Sequence, residues 1–290
     1  MPAADRSSYR GRLAPSPSGH LHLGHLATFG VAAERARQHQ GMLIYRNEDL
    51  DPQRSRASYV QSAMQDLRWM GIEWREGPDR SGPNAPYNQS QRLPYYVAAW
   101  RQLHQAGYLY PCTRSRKDLA HAARAPHAED EMGEALYPVE FRPDYHYQAH
   151  TQAPGAHNWR FRVPENQAIT FQDQRLGPIS AIGQKDFGDF LVWRKDGVPA
   201  YELAVVVDDA AMGITEVVRG EDLLRSTARQ LLLYQALQLS TPDFYHTPLI
   251  KDSTGRRLAK RSSADSIREL REKGMRPSEV KQLIQERLET

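Results

Sequence analysis

The sequence predicts an α/β protein whose open sheet is split by an insertion, and three observations carry that expectation. Strand, Pro/Gly/Ser turn and helix follow one another from Arg10 to His39, and strand and helix follow again from Met42 to Met70. The pattern lapses between Tyr110 and about Lys185, then resumes. The chain has 290 residues, 40% hydrophobic and 25% charged, enough for one domain with an insertion or two compact domains and far from the composition of disorder.

Composition also narrows the setting. No apolar run approaches the roughly 20 residues that span a bilayer, and the start MPAADRSSYR has no apolar signal core, so a cytoplasmic protein without a membrane partner is expected. A single cysteine, Cys112, excludes an internal disulfide framework and suits a reducing compartment. A net charge of +3 is too small to argue nucleic-acid binding by itself. Charge is concentrated instead between Lys251 and Arg261, where Lys251, Arg256, Arg257, Lys260 and Arg261 face one acid, Asp252, around a Ser-Thr-Gly turn. That reads as a basic loop.

Taken in order, Arg10–Ala14 is a short strand, PSPSGHL a turn, and Leu23–His39 a helix. Met42–Arg46 is the next strand, and Ser55–Met70 a helix opened by a Ser cap and ended by Gly71. Gln91–Ala106 is an amphipathic helix that stops at Gly107. After a segment biased to alanine, histidine and acids (Ala120–Ala135), strand-like pieces return at Trp159–Val163, Ala168–Gln172, Phe190–Arg194, Tyr201–Asp209 and Thr215–Arg219. A clear helix, Leu224–Gln238, follows, and beyond the basic loop Ala264–Lys273 and Pro277–Leu288 close the chain as helices. The implied divisions are 1–109 and 189–250 for the two halves of the main domain, 110–188 for the insertion, and 251–290 for the basic loop and last helices.

The chemistry concentrates in RLAPSPSGHLHLGH, residues 12–25, which sets His22, Gly24 and His25 at a helix start just after a strand. Unpaired N–H groups and the positive dipole end favour a phosphate there. Gly24 would let a flat base approach the backbone, and the two imidazoles can donate to phosphate oxygens as charge builds. Gly19 to Gly24 has the glycine spacing of a P-loop, but His25 and Leu26 stand where that loop needs Lys and Ser/Thr. A metal site from His20, His22 and His25 has no carboxylate or Cys nearby to complete it.

In this form the segment resembles the HIGH signature of class I aminoacyl-tRNA synthetases, in the version shared by the glutamyl and glutaminyl enzymes. Arg257-Leu258-Ala259-Lys260-Arg261 is similar to the second signature, KMSKS, with Lys260 at its second lysine and Arg257 replacing the first. Arg46-Asn47-Glu48-Asp49-Leu50-Asp51 resembles the segment whose glutamate meets the amino acid's ammonium, and the block from Tyr201 to Gly220 resembles Y-x-x-A-x-V-V-D-D…R-G.

The resemblance implies a Rossmann-like catalytic domain with an inserted acceptor-stem-like α+β subdomain and short C-terminal helices. It implies His22, Gly24, His25 and Lys260 at ATP, with His22, His25 and Lys260 catalytic. Arg12, Leu13, Ala14, Pro15, Ser16, Glu48, Tyr201 and Arg219 fall at L-glutamate. A guanidinium fork at Arg219, with Arg12 as a second candidate, would read the side-chain carboxylate. Magnesium is expected with ATP. Structural zinc, common in the insertion of this family, is not expected, because its places read Cys112, Arg114, Tyr137 and Phe141.

Only 30 residues follow Lys260, too few for an anticodon-binding domain. The chain is therefore similar to a truncated branch of the family, one that activates glutamate without tRNA and esterifies it to the queuosine base of tRNA(Asp). A monomer is expected. Two alternatives stay open: a fragment that charges a tRNA 3′ end, and a non-catalytic paralogue that binds tRNA.

Overall fold

The computed structural model describes residues 8–114, 136–143, 151, 153–250 and 266–289. Its elements run β1 (Arg10–Leu13), α1 (Leu23–Gln38), β2 (Met42–Tyr45), α2 (Ala57–Trp69), α3 (Leu93–Gln105) and β3 (Leu109–Cys112). After these come β4 (Asn158–Phe161), β5 (Ala168–Asp173), β6 (Gly177–Ile182), β7 (Phe190–Trp193) and α4 (Tyr201–Ala211). The chain continues through β8 (Glu216–Gly220), α5 (Leu224–Ala236), β9 (Asp243–Thr247), α6 (Ile267–Glu272) and α7 (Pro277–Glu289).

Two parallel pairs form the scaffold. β1 pairs with β2, Leu13 opposite Tyr45, and β8 pairs with β9, Arg219 opposite His246. The pairs meet where the Thr215 N–H donates to the Arg10 carbonyl (2.9 Å) and Arg12 Nη1 donates to the Val218 carbonyl (2.7 Å). β8 shows why the arrangement is stable. Val217 packs into the apolar cluster of α3, α4 and α5, while Val218 packs into that of α1, α2, α6 and α7. A strand covered on both faces is the usual state of a parallel sheet, and each fully buried aliphatic side chain contributes about 1.5–3 kcal/mol.

β4 from the region between the halves pairs with β3 and with β7, at the edges of the two halves, in an antiparallel sheet β3-β4-β7, while the β5–β6 hairpin meets β9 through Asp173 opposite Phe244. Strands β3, β6 and β9 were not expected from sequence.

Local punctuation follows the residues. Gly71 and Gly107, both at φ +78°, end α2 and α3 in a left-handed conformation that costs glycine little. The expected Ser55 cap does not form. Arg56 holds the cap position without a side-chain bond, because its N–H docks on the Pro17 carbonyl at 3.0 Å and pulls the helix start onto the signature turn. Tyr201–Asp209, read as strand-like, is the helix α4. A continuous apolar run does not distinguish a buried helix from a buried strand, and here packing against α3, β7 and α5 decides. Among the described residues no helix is long and apolar enough to cross a membrane.

Candidate active site

A cavity of about 390 Å³ opens at the carboxyl ends of β1, β2, β8 and β9, where ligands bind in open α/β sheets. Its walls are Arg12 and Ala14–Ser16 from β1, Glu48 beyond β2, Arg219 and Gly220 at the end of β8, His22, Gly24 and His25 from α1, and Tyr201 from α4. Ten of the expected site residues are thus brought together from both halves of the sequence. Leu13 is not: it is fully buried beneath the turn. Lys260 and Arg257 lie outside the described residues, but the chain re-enters at Ser266, which bridges to His22, and the Ile267 N–H donates to the Leu21 carbonyl (2.8 Å).

The α1 end is built by the two histidines. His22 is the N-cap, and its Nδ1 accepts from the Gly24 N–H at 3.2 Å, while His25 Nδ1 accepts from the His22 N–H at 3.2 Å. Because each Nδ1 is an acceptor, the tautomer that satisfies both bonds carries its proton on Nε2. The rings lie 3.8 Å apart, and a Cβ on Gly24 would stand 3.1 Å from His22 Cε1. Gly24 therefore also makes room for the cap itself.

At the other end sit two buried guanidiniums. Arg12 reaches Asp209 at 3.6 Å, with its Nη1 on the Val218 carbonyl. Arg219 is 4% exposed and meets neutral acceptors: Nη1 donates to Gln230 Oε1 (2.8 Å), Nη2 to Thr227 Oγ1 (2.7 Å), and Nε to His246 Nε2 (3.4 Å). Three of its five N–H groups are used, leaving one on each terminal nitrogen.

Glu48 faces them. Burial raises its carboxyl above the usual range, opposed by Arg46 and Arg12, and its Oε1 accepts from Arg46 Nη2 (3.0 Å). Tyr201 stays 39% exposed at the cavity mouth.

Several residues of this site were missed in the sequence. Arg46 and Asp209 fall within the segments around Glu48 and after Tyr201, where opposite charges at a strand end and a helix end signal a buried ion pair. His246 and Asp173 left no local signal.

The places where this family carries zinc do converge. Cys112 Sγ lies 3.3 Å from the Tyr137 hydroxyl, which donates to the Phe141 carbonyl. The donor set does not fit zinc. It offers one thiol and one phenol, and two cations, Arg160 over the Tyr137 ring (4.0 Å) and Arg114 over the Phe141 ring (4.5 Å), repel a third.

The fold and this cavity define a nucleotide-handling α/β enzyme of the class I synthetase type. Residues 8–287 match the family of class I tRNA synthetases (E and Q), catalytic domain, and the chain belongs to it. It is accordingly a ligase of the aminoacyl-tRNA synthetase type, with ATP as a substrate.

Two curated relatives bear the name glutamyl-Q tRNA(Asp) synthetase. That of Nitratidesulfovibrio vulgaris is 46% identical, over 92% of this chain and 82% of the relative, and that of Symbiobacterium thermophilum is 45% identical, over 93% and 83%. A glutamate tRNA ligase from Elizabethkingia meningosepticum, solved in complex with its amino acid, superposes with a TM-score of 0.75 at 31% identity; the match covers 88% of this chain and 52% of that one.

Proposed function

We propose that the protein activates L-glutamate with magnesium-bound ATP, without tRNA, and transfers the glutamyl group to the queuosine base of tRNA(Asp). The observation that carries the first half is Arg219. A buried guanidinium whose protein partners are all neutral keeps its charge for a ligand, and its two remaining N–H groups match a carboxylate. An uncharged amide would leave that charge unmet, which favours glutamate over glutamine. The names of the two 45–46% identical relatives support the acceptor.

In this reading Arg12 and Arg219 hold the side-chain carboxylate, Glu48 takes the ammonium, and Ala14–Ser16 and Tyr201 close around the backbone. Leu13 supports the turn from below. ATP lies over Gly24, with its phosphates at His22, His25 and Lys260. The substrate α-carboxylate attacks the α-phosphate in line; the P–O bond to pyrophosphate breaks, and glutamyl-adenylate forms. A queuosine hydroxyl then attacks the activated carbonyl, loses its proton and expels AMP. No protein nucleophile is needed, so the residues act by positioning and by Nε2–H donation from the histidines.

Labelled glutamate, ATP and tRNA(Asp) with or without queuosine test the proposal. Label on the queuosine-containing tRNA alone, with pyrophosphate exchange that proceeds without tRNA, is expected. Label on a tRNA 3′ end, or exchange that requires tRNA, would replace it with the charging reaction of a glutamyl-tRNA synthetase.

A further inference from the structure

Arg219 is gripped by two arms of the same design. On one side Asp173 Oδ2 takes His246 Nδ1 at 2.6 Å. On the other Glu202 Oε2 takes Gln230 Nε2 at 2.8 Å. In each arm a carboxylate captures the donor end of a neutral side chain, so the acceptor end must face the guanidinium. The arms keep two buried carboxylates one side chain away from Arg219.

The His246 arm does more than the other. Asp173 is committed to it: Oδ1 caps the β5–β6 turn by accepting from the Arg175 and Leu176 N–H groups, which leaves Oδ2 for the His246 backbone and ring. With the proton on Nδ1, Nε2 is an acceptor. It receives Arg219 Nε directly and the Thr227 hydroxyl at 2.9 Å. The Thr227 hydroxyl shares its one hydrogen between His246 Nε2 and the Leu223 carbonyl (3.2 Å) and turns a lone pair to Arg219 Nη2. One imidazole lone pair therefore makes one of the three contacts that aim the guanidinium and, with the Leu223 carbonyl, orients the hydroxyl that makes a second. All four residues are buried, with His246 and Thr227 fully so.

We infer that His246, locked in its Nδ1–H tautomer by Asp173, is a positioning residue for substrate specificity that orients the carboxylate-reading fork of Arg219 while leaving its charge unneutralised. The inference rests on the proposed role of Arg219 in reading the side-chain carboxylate. Its consequence is selective, because an arm that acts through Arg219 governs the amino acid and not ATP.

Two isosteric replacements separate this from a structural role. Asn at position 246 keeps a donor for Asp173 and deletes the acceptor at Nε2. Gln places an amide oxygen near Nε2 and leaves Asp173 without its ring partner. In glutamate-dependent ATP–pyrophosphate exchange, His246→Asn should raise the glutamate KM about tenfold, the cost of one lost bond to a charged group, with the ATP KM within about twofold. His246→Gln should recover most of that loss. Thr227→Val, which removes the hydroxyl that meets Arg219 Nη2 but leaves the His246–Arg219 bond, should fall between them and serves if the Asn variant does not fold.

An unchanged glutamate KM in His246→Asn and Thr227→Val overturns the inference, as does an equal rise for glutamate and ATP, or a Gln variant as impaired as the Asn variant. Arg219→Met, measured alongside, separates the two layers. A large glutamate KM effect there without one at His246 defeats only the inference, whereas no effect at Arg219 defeats the reading beneath it.

Discussion

Arg46 and Arg219 are both buried guanidiniums at the carboxyl edge of the sheet, and their surroundings differ in kind. Arg46, fully buried, is ringed by carboxylates: Asp209 at 2.5 Å, Glu48 at 3.0 Å and Asp208 at 3.9 Å. Asp208 in turn gathers Arg92, Tyr96 and Gln89, tying β2, α3 and α4 together. Arg219 has the same burial with neutral neighbours. The contrast teaches that a buried cation surrounded by acids is neutralised within the fold, while one surrounded by neutral acceptors keeps an uncompensated charge at the cavity.

The comparison is broken most severely at Arg46. Arg46→Met should cost about 5 kcal/mol of stability, the upper end for leaving buried charges unpaired, read as a lower urea midpoint. Arg219→Met should behave in the opposite way: kcat/KM for glutamate falls about 10³-fold, near 4 kcal/mol, while the urea midpoint holds or rises because an uncompensated buried charge has been removed. If Arg219→Met unfolds the protein as Arg46→Met does, the distinction fails.

Acid probes the neutral shell next. Burial first, and then the Arg219 charge, push the His246 imidazole down to about 4 against the bond to Asp173, from an ordinary 6.5. Between those values the unfolded chain binds the proton and the folded one does not, so stability is lost as pH falls from 6.5 towards 4, by about 3 kcal/mol in all. Urea unfolding at pH 7, 5.5 and 4 should show that slope in the parent and lose most of it in His246→Gln.

The smallest effect tests the same rule with the sign reversed. Burial raises the Asp66 carboxyl to about 6, with Arg271 at 3.2 Å opposing. A raised carboxyl favours the folded state below its pKa, so its charged form detracts from stability as pH rises from 3.8 through 6. Asp66→Asn should therefore gain about 3 kcal/mol at pH 7, slightly less than the His246 effect, and nothing below pH 4.

How much of this was legible depended on the distance over which each feature acts. The signature turn is local: His22, Gly24 and His25 cap and open one helix, so residue type and spacing reveal it. The helix ends at Gly71 and Gly107 are local too. The strand and helix readings failed where local pattern is silent, at α4, whose run of Leu203 to Val207 suits either state, and at β3, β6 and β9, which are short and depend on partners. In the site, Arg12, Glu48, Tyr201 and Arg219 stood in recognisable blocks. Asp173 and His246, 73 residues apart, did not.

The sequence by itself determined the class of fold, the helix start that favours phosphate, and the charged residues available to a cavity, because helix caps, turns and ligand types act within a few positions. Tertiary structure alone decided which arginine is neutralised and which is left with its charge. That outcome depends on burial and on separations of a few ångströms between residues far apart in the chain, where low dielectric makes each neighbour count. Arg46 and Arg219 look alike in the sequence. Only the fold surrounds one with carboxylates and sets His246, Thr227 and Gln230 around the other.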